Sequence, residues 1–174
     1  QRREPLLQGN TIPGFGDIRR RRGHIFTLGE SRVIGSTLVN EARLGFARNE
    51  GTGTPAMLLN PAQLGIAAGL DEPIGLPQIT VGGALNFGGP ANFLTSRTGT
   101  TFTVSDMVSH QRRQHTLRFG GEYRWYTNQS YTKDAGRFNF RAVSDFIAGT
   151  ANSFTVTLGD PDAHISQDAL GVFA

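Results

Sequence analysis

No cysteine occurs in the 174 residues. That excludes disulfide scaffolds, thiolate zinc sites, iron–sulfur clusters and cysteine nucleophiles. It leaves the redox compartment open. Charge is scarce as well, at 18% Asp, Glu, Lys and Arg. Lysine is almost missing: every basic residue except Lys133 is arginine. Arginine is the residue of fixed, forked pairing with carboxylates, and lysine is the looser solvated charge. The composition therefore suits Arg–carboxylate pairing within a structure better than a lysine-rich nucleic-acid footprint. No apolar run approaches the ~18 residues of a transmembrane helix. Strands that cross a membrane show only alternation, so a membrane barrel stays open.

Glycine is abundant, 23 residues, against a usual share of roughly 7%. Together with the low charge this argues against a helical bundle. The length suits one domain with a real core. The opening Gln-Arg-Arg-Glu-Pro has neither Met nor a signal-like apolar run, and the end at Gly171 to Ala174 reads as mid-strand. Both ends are expected to be cuts in a longer protein.

Residues 1–18 read as loop, Arg19 to Arg22 is a basic run, Gly23 to Gly29 a short strand and Ser31 to Thr37 a turn. From Leu38 to Glu50, Leu38, Ala42, Leu44 and Phe46 alternate with Glu41, Arg43, Gly45 and Asn49, a strand pattern. A helix competes there, because Leu38, Ala42 and Gly45 also share a helical face. Thr100 to His110 alternates too, with Phe102, Val104 and Val108 on one parity. Asp106 falls on that apolar parity and spoils it. After the turn 111–114, His115 to Thr127 is the clearest strand. Leu117, Phe119, Tyr123 and Trp125 share one face; Arg118, Glu122 and Arg124 share the other. A last strand is expected over Ala163 to Ala174.

Two long irregular stretches lie between, 51–99 and 131–162, and connections of that length usually bind something. Asn60 to Ala68 could hold a helical turn, Ala142 to Ala148 a short helix and Phe154 to Leu158 a short strand. The expected class is all-β: antiparallel strands joined alternately by short turns and long loops. That asymmetry marks an outer-membrane barrel, with the long loops outside. About five strands cannot close such a barrel, which needs ~8 or more. An incomplete segment is expected.

Four segments add a resemblance. Ser36-Thr37-Leu38-Val39-Asn40-Glu41-Ala42-Arg43-Leu44-Gly45-Phe46 resembles a strand of TonB-dependent outer-membrane receptors, in their Oar-like branch. Gly75 to Val81 with Phe87-Gly88-Gly89-Pro90 resembles a loop of the same branch. His115 to Arg124 resembles a second strand, and Ser144-Asp145-Phe146-Ile147-Ala148-Gly149 its short helix. The resemblance runs from about Pro13 to the end. It implies a barrel segment over 1–174 without the family's plug and closing strand, with 51–99 and 131–162 as extracellular loops. It implies uptake of a large nutrient (glycan, peptide or metal chelate) by the parent protein. The partners it implies are outer-membrane lipid, lipopolysaccharide and, through the missing plug, the TonB complex. The rival architecture is a soluble all-β sandwich or jelly roll that binds a ligand or carbohydrate.

Residues with chemistry are few. Arg19 to Arg22 could touch phosphates of nucleic acid or lipopolysaccharide, or be a solvated strand end; the reading without nucleic acid is preferred. Gly82-Gly83 and Gly88-Gly89 lack the context of a phosphate loop. Asp160, Asp162 and His164 have metal-like spacing, but Pro161 intervenes and no acidic ligand follows. His110 and His115 flank a turn without a third ligand. There is no Gly-x-Ser-x-Gly elbow. Asn128-Gln129-Ser130 fits a glycosylation sequon that a bacterial outer-membrane protein would not ordinarily use. No catalytic, cofactor or metal residue is assigned, and no enzyme is expected.

Overall fold

The computed structural model describes residue 12 and residues 14–67, 71–89 and 92–174. Its elements, in order, are β1 (Asp17–Ile34), β2 (Leu38–Pro55), a 3-10 turn (Ala62–Leu64), β3 (Gln78–Val81), β4 (Leu85–Phe87), β5 (Asn92–Arg112), β6 (His115–Asp134), β7 (Arg137–Phe140), α1 (Val143–Ile147), β8 (Ser153–Thr155) and β9 (Asp162–Phe173). The long strands form one sheet in the order β1-β2-β5-β6-β9, and the short ones a second in the order β4-β3-β7-β8. No described helix is long and apolar enough to cross a membrane.

The expected strands are present, and most are longer than expected. The strand expected over 23–29 runs from Asp17 to Ile34, so residues 17 and 18 are not loop. The turn placed at 31–37 shrinks to 35–37, and that at 111–114 to 113–114. The competing helix over 38–50 is absent: β2 runs straight through it. Gly35 takes a left-handed φ of 65°, which glycine adopts without cost, and Arg113 does so at 54°. Two- and three-residue connections between neighbouring strands leave only an antiparallel hairpin. β1–β2 and β5–β6 are the two hairpins expected.

The molecule divides into two compact units. One holds residues 22–50, 98–129 and 164–174; the other holds 1–21, 51–97 and 130–163.

In the first unit the glycines reveal the register, because a strand glycine lies bare against its cross-strand neighbour. A Cβ on Gly23 would meet Asn49 Oδ1 at 3.1 Å, and one on Gly29 would meet Arg43 Cγ at 3.8 Å. Both agree with the turn at 35–37. Gly45 lies 3.7 Å from Thr103 Cβ, and Gln111 N–H donates to Thr37 O at 2.7 Å. Gly99 lies against Tyr126 and Asn128, Gly120 against Met107 Cα, and Gly121 against Val172 at 3.6 Å. These fix every neighbouring pair of strands in the unit.

Carried across the sheet, that register lines up side chains of one face into rows. Phe26, Phe46, Phe102 and Trp125 fall in one row over four strands. Leu28, Leu44, Val104, Tyr123 and Leu170 form the next row toward the turns. Most of these are exposed, from Phe102 at 37% to Leu170 at 76%. The opposite face carries Glu41, Arg43, Thr103, Ser105, Arg118, Glu122 and Arg124. Alternation keeps the two sets apart because the strands run without a break.

The second unit replaces what looked like two structureless loops. The connection expected over 51–99 is only 56–91, and it contains β3 and β4. The one expected over 131–162 is 135–161, and it contains β7, α1 and β8. They fold together: β3 pairs with β4 antiparallel and with β7 parallel, Ile79 opposite Phe138, and β7 pairs antiparallel with β8. The helical turn expected in 60–68 is one 3-10 turn, the helix of 142–148 spans Val143–Ile147, and the strand of 154–158 is Ser153–Thr155. Ile74, Val81 and Ala135 are buried with Pro61 and Pro77. Phe146 of α1 stands edge-on to Phe140 at 5.2 Å and to Phe87 at 5.8 Å. Such aromatic pairs add ~0.5–1.5 kcal/mol each beyond the area they bury.

Candidate functional site

Each unit offers a surface. On the polar face of the long sheet, ion pairs run along single strands. Arg124 Nη2 meets Glu122 Oε1 at 2.8 Å, and Arg43 Nη2 meets Glu41 Oε2 at 3.5 Å. Two-residue spacing on one face thus brings Glu122 and Arg124 together. Between them lies a depression of about 210 Å³, lined among others by Glu41, Arg43, Ser105, Met107, Glu122 and Phe173. Phe173 leans over Gly120: a Cβ there would come within 2.9 Å of the ring's Cζ and overlap Asp106 O. A bare glycine covered by a cross-strand aromatic is a recurring way to hold a strand pair together.

On the apolar face two carboxylates are hydrogen-bonded to neutral donors. Asn40 Nδ2 donates to Asp106 Oδ1 at 2.7 Å, and the Tyr123 hydroxyl donates to Asp168. No bulge surrounds Asp106, because the register is the same on either side of it. Across the pair with β6 it faces Gly121, whose missing side chain leaves room. Trp125 lies in the aromatic row. Tyr126 lies on the other face, against Gly99.

In the second unit a carboxylate organises the chain where β6 ends. Asp134 accepts the backbone N–H of Gly136 and of Thr157, both at 2.7 Å. Lys133, near the end of β6, pairs with Glu72 in the connection between β2 and β5. That hydrogen bond raises the Lys133 pKa above its usual value. Asn60 Nδ2 donates to Asp71 Oδ1 at 2.8 Å, and Arg137 Nε to Gln78 Oε1 at 2.7 Å.

The residues singled out by sequence fall as follows. Arg19 pairs through Nε with the buried Asp17 at 2.5 Å, while Arg20, Arg21 and Arg22 are exposed. Asp160 accepts the backbone N–H of Asp162 at 2.9 Å, which closes the Asp-Pro-Asp turn. Among the described residues no three His, Asp or Glu side chains gather as metal ligands. Gly88 lies hard against Pro77 O at a φ of 90°, so it serves a close backbone approach. Pro90 lies outside the described residues. Sequence reasoning missed the Asn40–Asp106 and Tyr123–Asp168 links, the Phe173–Gly120 cover and the β3–β7 pairing. Only Asp106 left a signal, as a polar residue on an apolar parity.

Long strands, an apolar face exposed in two rows and a polar face with ion pairs are the anatomy of a membrane barrel wall. The model of the outer membrane beta barrel domain matches residues 1–174. The chain belongs to that family. This places the barrel in the outer membrane of a Gram-negative bacterium, and its five-stranded sheet is an unclosed part of a barrel. It also sets aside the soluble sandwich, which would hide its apolar face in its own core. No curated protein and no solved structure matches the chain.

Proposed function

We propose that this outer-membrane barrel domain is a wall segment of a TonB-dependent receptor of the Oar-like branch. Its parent would take up a large nutrient: a glycan, a peptide or a metal chelate. One observation carries the reading. The four segments that resemble the branch fall, in chain order, on separate elements of the fold, namely the β1–β2 turn with β2, the β3–β4 hairpin, β6 and α1. In this reading the apolar rows face lipid and the polar face lines the lumen. The two connections with their shared sheet lie outside the cell and capture substrate. The depression beside Phe173 is a contact on the way in. Energy comes from the TonB complex acting on a plug beyond this chain. The work is passage and not a reaction, so no residue is given a catalytic role.

The test is uptake by the full-length protein in cells. Labelled oligosaccharide, oligopeptide and iron chelate are offered in turn, with and without the proton gradient and the TonB protein. Accumulation of one class that stops when either is removed supports the reading. Entry independent of both would make the barrel a passive pore.

A further inference from the structure

Just beyond the aromatic row, on the side away from the turns, the apolar face turns polar. The register puts His24 opposite Arg48, one step beyond Phe26 and Phe46, and Arg22 opposite Glu50 one step further. Each step is two residues, about 7 Å. Arg48 Nε meets Glu50 Oε1 at 2.8 Å. Arg22 and His24 are exposed and make no ion pair among the described residues. Three cationic or protonatable groups therefore share one carboxylate. Of the Arg19–Arg22 run, Arg19 is spent on Asp17. Arg22 has the parity that puts it beside His24 and Arg48.

We propose that Arg22, His24 and Arg48 bind the phosphate of an outer-leaflet lipid headgroup. The proposal rests on the lipid-facing assignment of the apolar rows and is independent of TonB coupling. Continuity selects the occupant. Acyl chains laid on Phe26, Leu28, Leu44 and Phe46 would end at the aromatic row, where membrane barrels meet the interface. A headgroup phosphate on such a lipid then falls at the next two rows. Guanidinium groups suit it, because their forked N–H donors match phosphate oxygens two at a time. Glu50 holds Arg48 through Nε and leaves its terminal N–H groups to the ligand. A soluble anion or a nucleic acid would gain nothing from the adjoining aromatic row.

The test uses the full-length protein in detergent, titrated with an acylated glucosamine disaccharide, either bisphosphorylated or dephosphorylated. Retained lipid is read by native mass spectrometry. R22Q/R48Q should bind the phosphorylated lipid about tenfold more weakly than wild type. The dephosphorylated lipid should bind both equally, and inorganic phosphate should not compete. Glu50→Gln, which removes the carboxylate paired with Arg48, should bind the phosphorylated lipid more tightly, and it decides the matter if the double variant fails to assemble. Arg118→Gln, on the opposite face, should bind as wild type. Equal retention by R22Q/R48Q and wild type overturns the proposal. So does loss on Arg118→Gln instead, or competition by inorganic phosphate.

Discussion

Asn40 donates its side-chain N–H to Asp106 across the β2–β5 pair, on the face that also carries Leu44, Phe46, Phe102 and Val104. A carboxylate there is costly unless a donor meets it, and it has one neutral donor. Taking the donor away should hurt more than taking the acid away. In the full-length protein Asn40→Ala is expected to cost about 1–3 kcal/mol. Asp106→Val should be neutral or stabilising, because it removes the group that needed solvation. Urea unfolding of the refolded barrel in detergent gives both numbers. Equal losses would mean that Asp106 has a second partner from outside this chain.

The facing of β6 can be tested by one charge on either side. Leu117, Phe119, Tyr123 and Trp125 are all exposed on the apolar face. A lipid-facing Arg costs ~2–4 kcal/mol near the midplane and little near the interfaces. Phe119→Arg should therefore impair membrane assembly of the full-length protein, read as loss of the heat-modifiable band. Arg124→Gln breaks only an exposed pair with Glu122, of a kind worth ~0–1 kcal/mol, and should assemble normally. Normal assembly of Phe119→Arg would reverse the faces.

What the sequence discloses depends on whether a feature is local. Alternation is local, so β2, β5, β6 and β9 are legible, and so is the partition of Phe119 from Arg118. Strand ends are less so. Asp17 to Arg22 and Gly51 to Pro55 alternate poorly, yet cross-strand pairing with neighbours carries them into the sheet. The second sheet is invisible because its central pair joins Gln78–Val81 to Arg137–Phe140, segments about sixty positions apart and four residues long. Pro73, Pro77 and the glycine pairs read as loop, and Pro77 and Gly88 indeed shape turns, but they shape them around a core of Ile74 and Val81. Asp106 was legible as an anomaly. Its solution was not, because Asn40 lies 66 positions away.

Lys133 and Glu72 link the end of β6 to the connection between β2 and β5. The hydrogen bond from Lys133 to Glu72 raises the lysine pKa above its ordinary value. A group raised on folding adds stability in full below its unfolded pKa and loses it as pH climbs through the folded one. The lysine's share of the link should thus be constant through neutral pH and be lost in strong alkali. Glu72 is half exposed, so solvent screening keeps the link below about 1 kcal/mol. Limited proteolysis of the full-length protein should show Lys133→Gln cut faster than wild type within 71–89 at pH 7 and equally fast in strong alkali. A difference that persists there would assign the effect to packing of the lysine stem.

Gly88 and Gly83 separate assembly from capture. Both take left-handed φ angles, 90° and 69°, so alanine strains both. Only Gly88 also lies against backbone: an added Cβ would overlap Pro77 O and come within 3.4 Å of Gln78 Cα. Gly83 has nothing within 4 Å. Gly88→Ala must therefore push β4 away from the start of β3, and the pair cannot yield cheaply because both sides are main chain. The loss at Gly88 is expected at about 2–4 kcal/mol, strain and overlap together, against about 1–2 at Gly83 for conformation alone. Neither residue belongs to the long sheet, so both variants should give the normal heat-modifiable barrel. If the second sheet captures substrate, uptake should fall sharply in Gly88→Ala and only slightly in Gly83→Ala. Normal uptake in Gly88→Ala, with proteolysis showing that the β3–β4 hairpin has opened, would take the second sheet out of substrate capture and leave that role to the polar face beside Phe173.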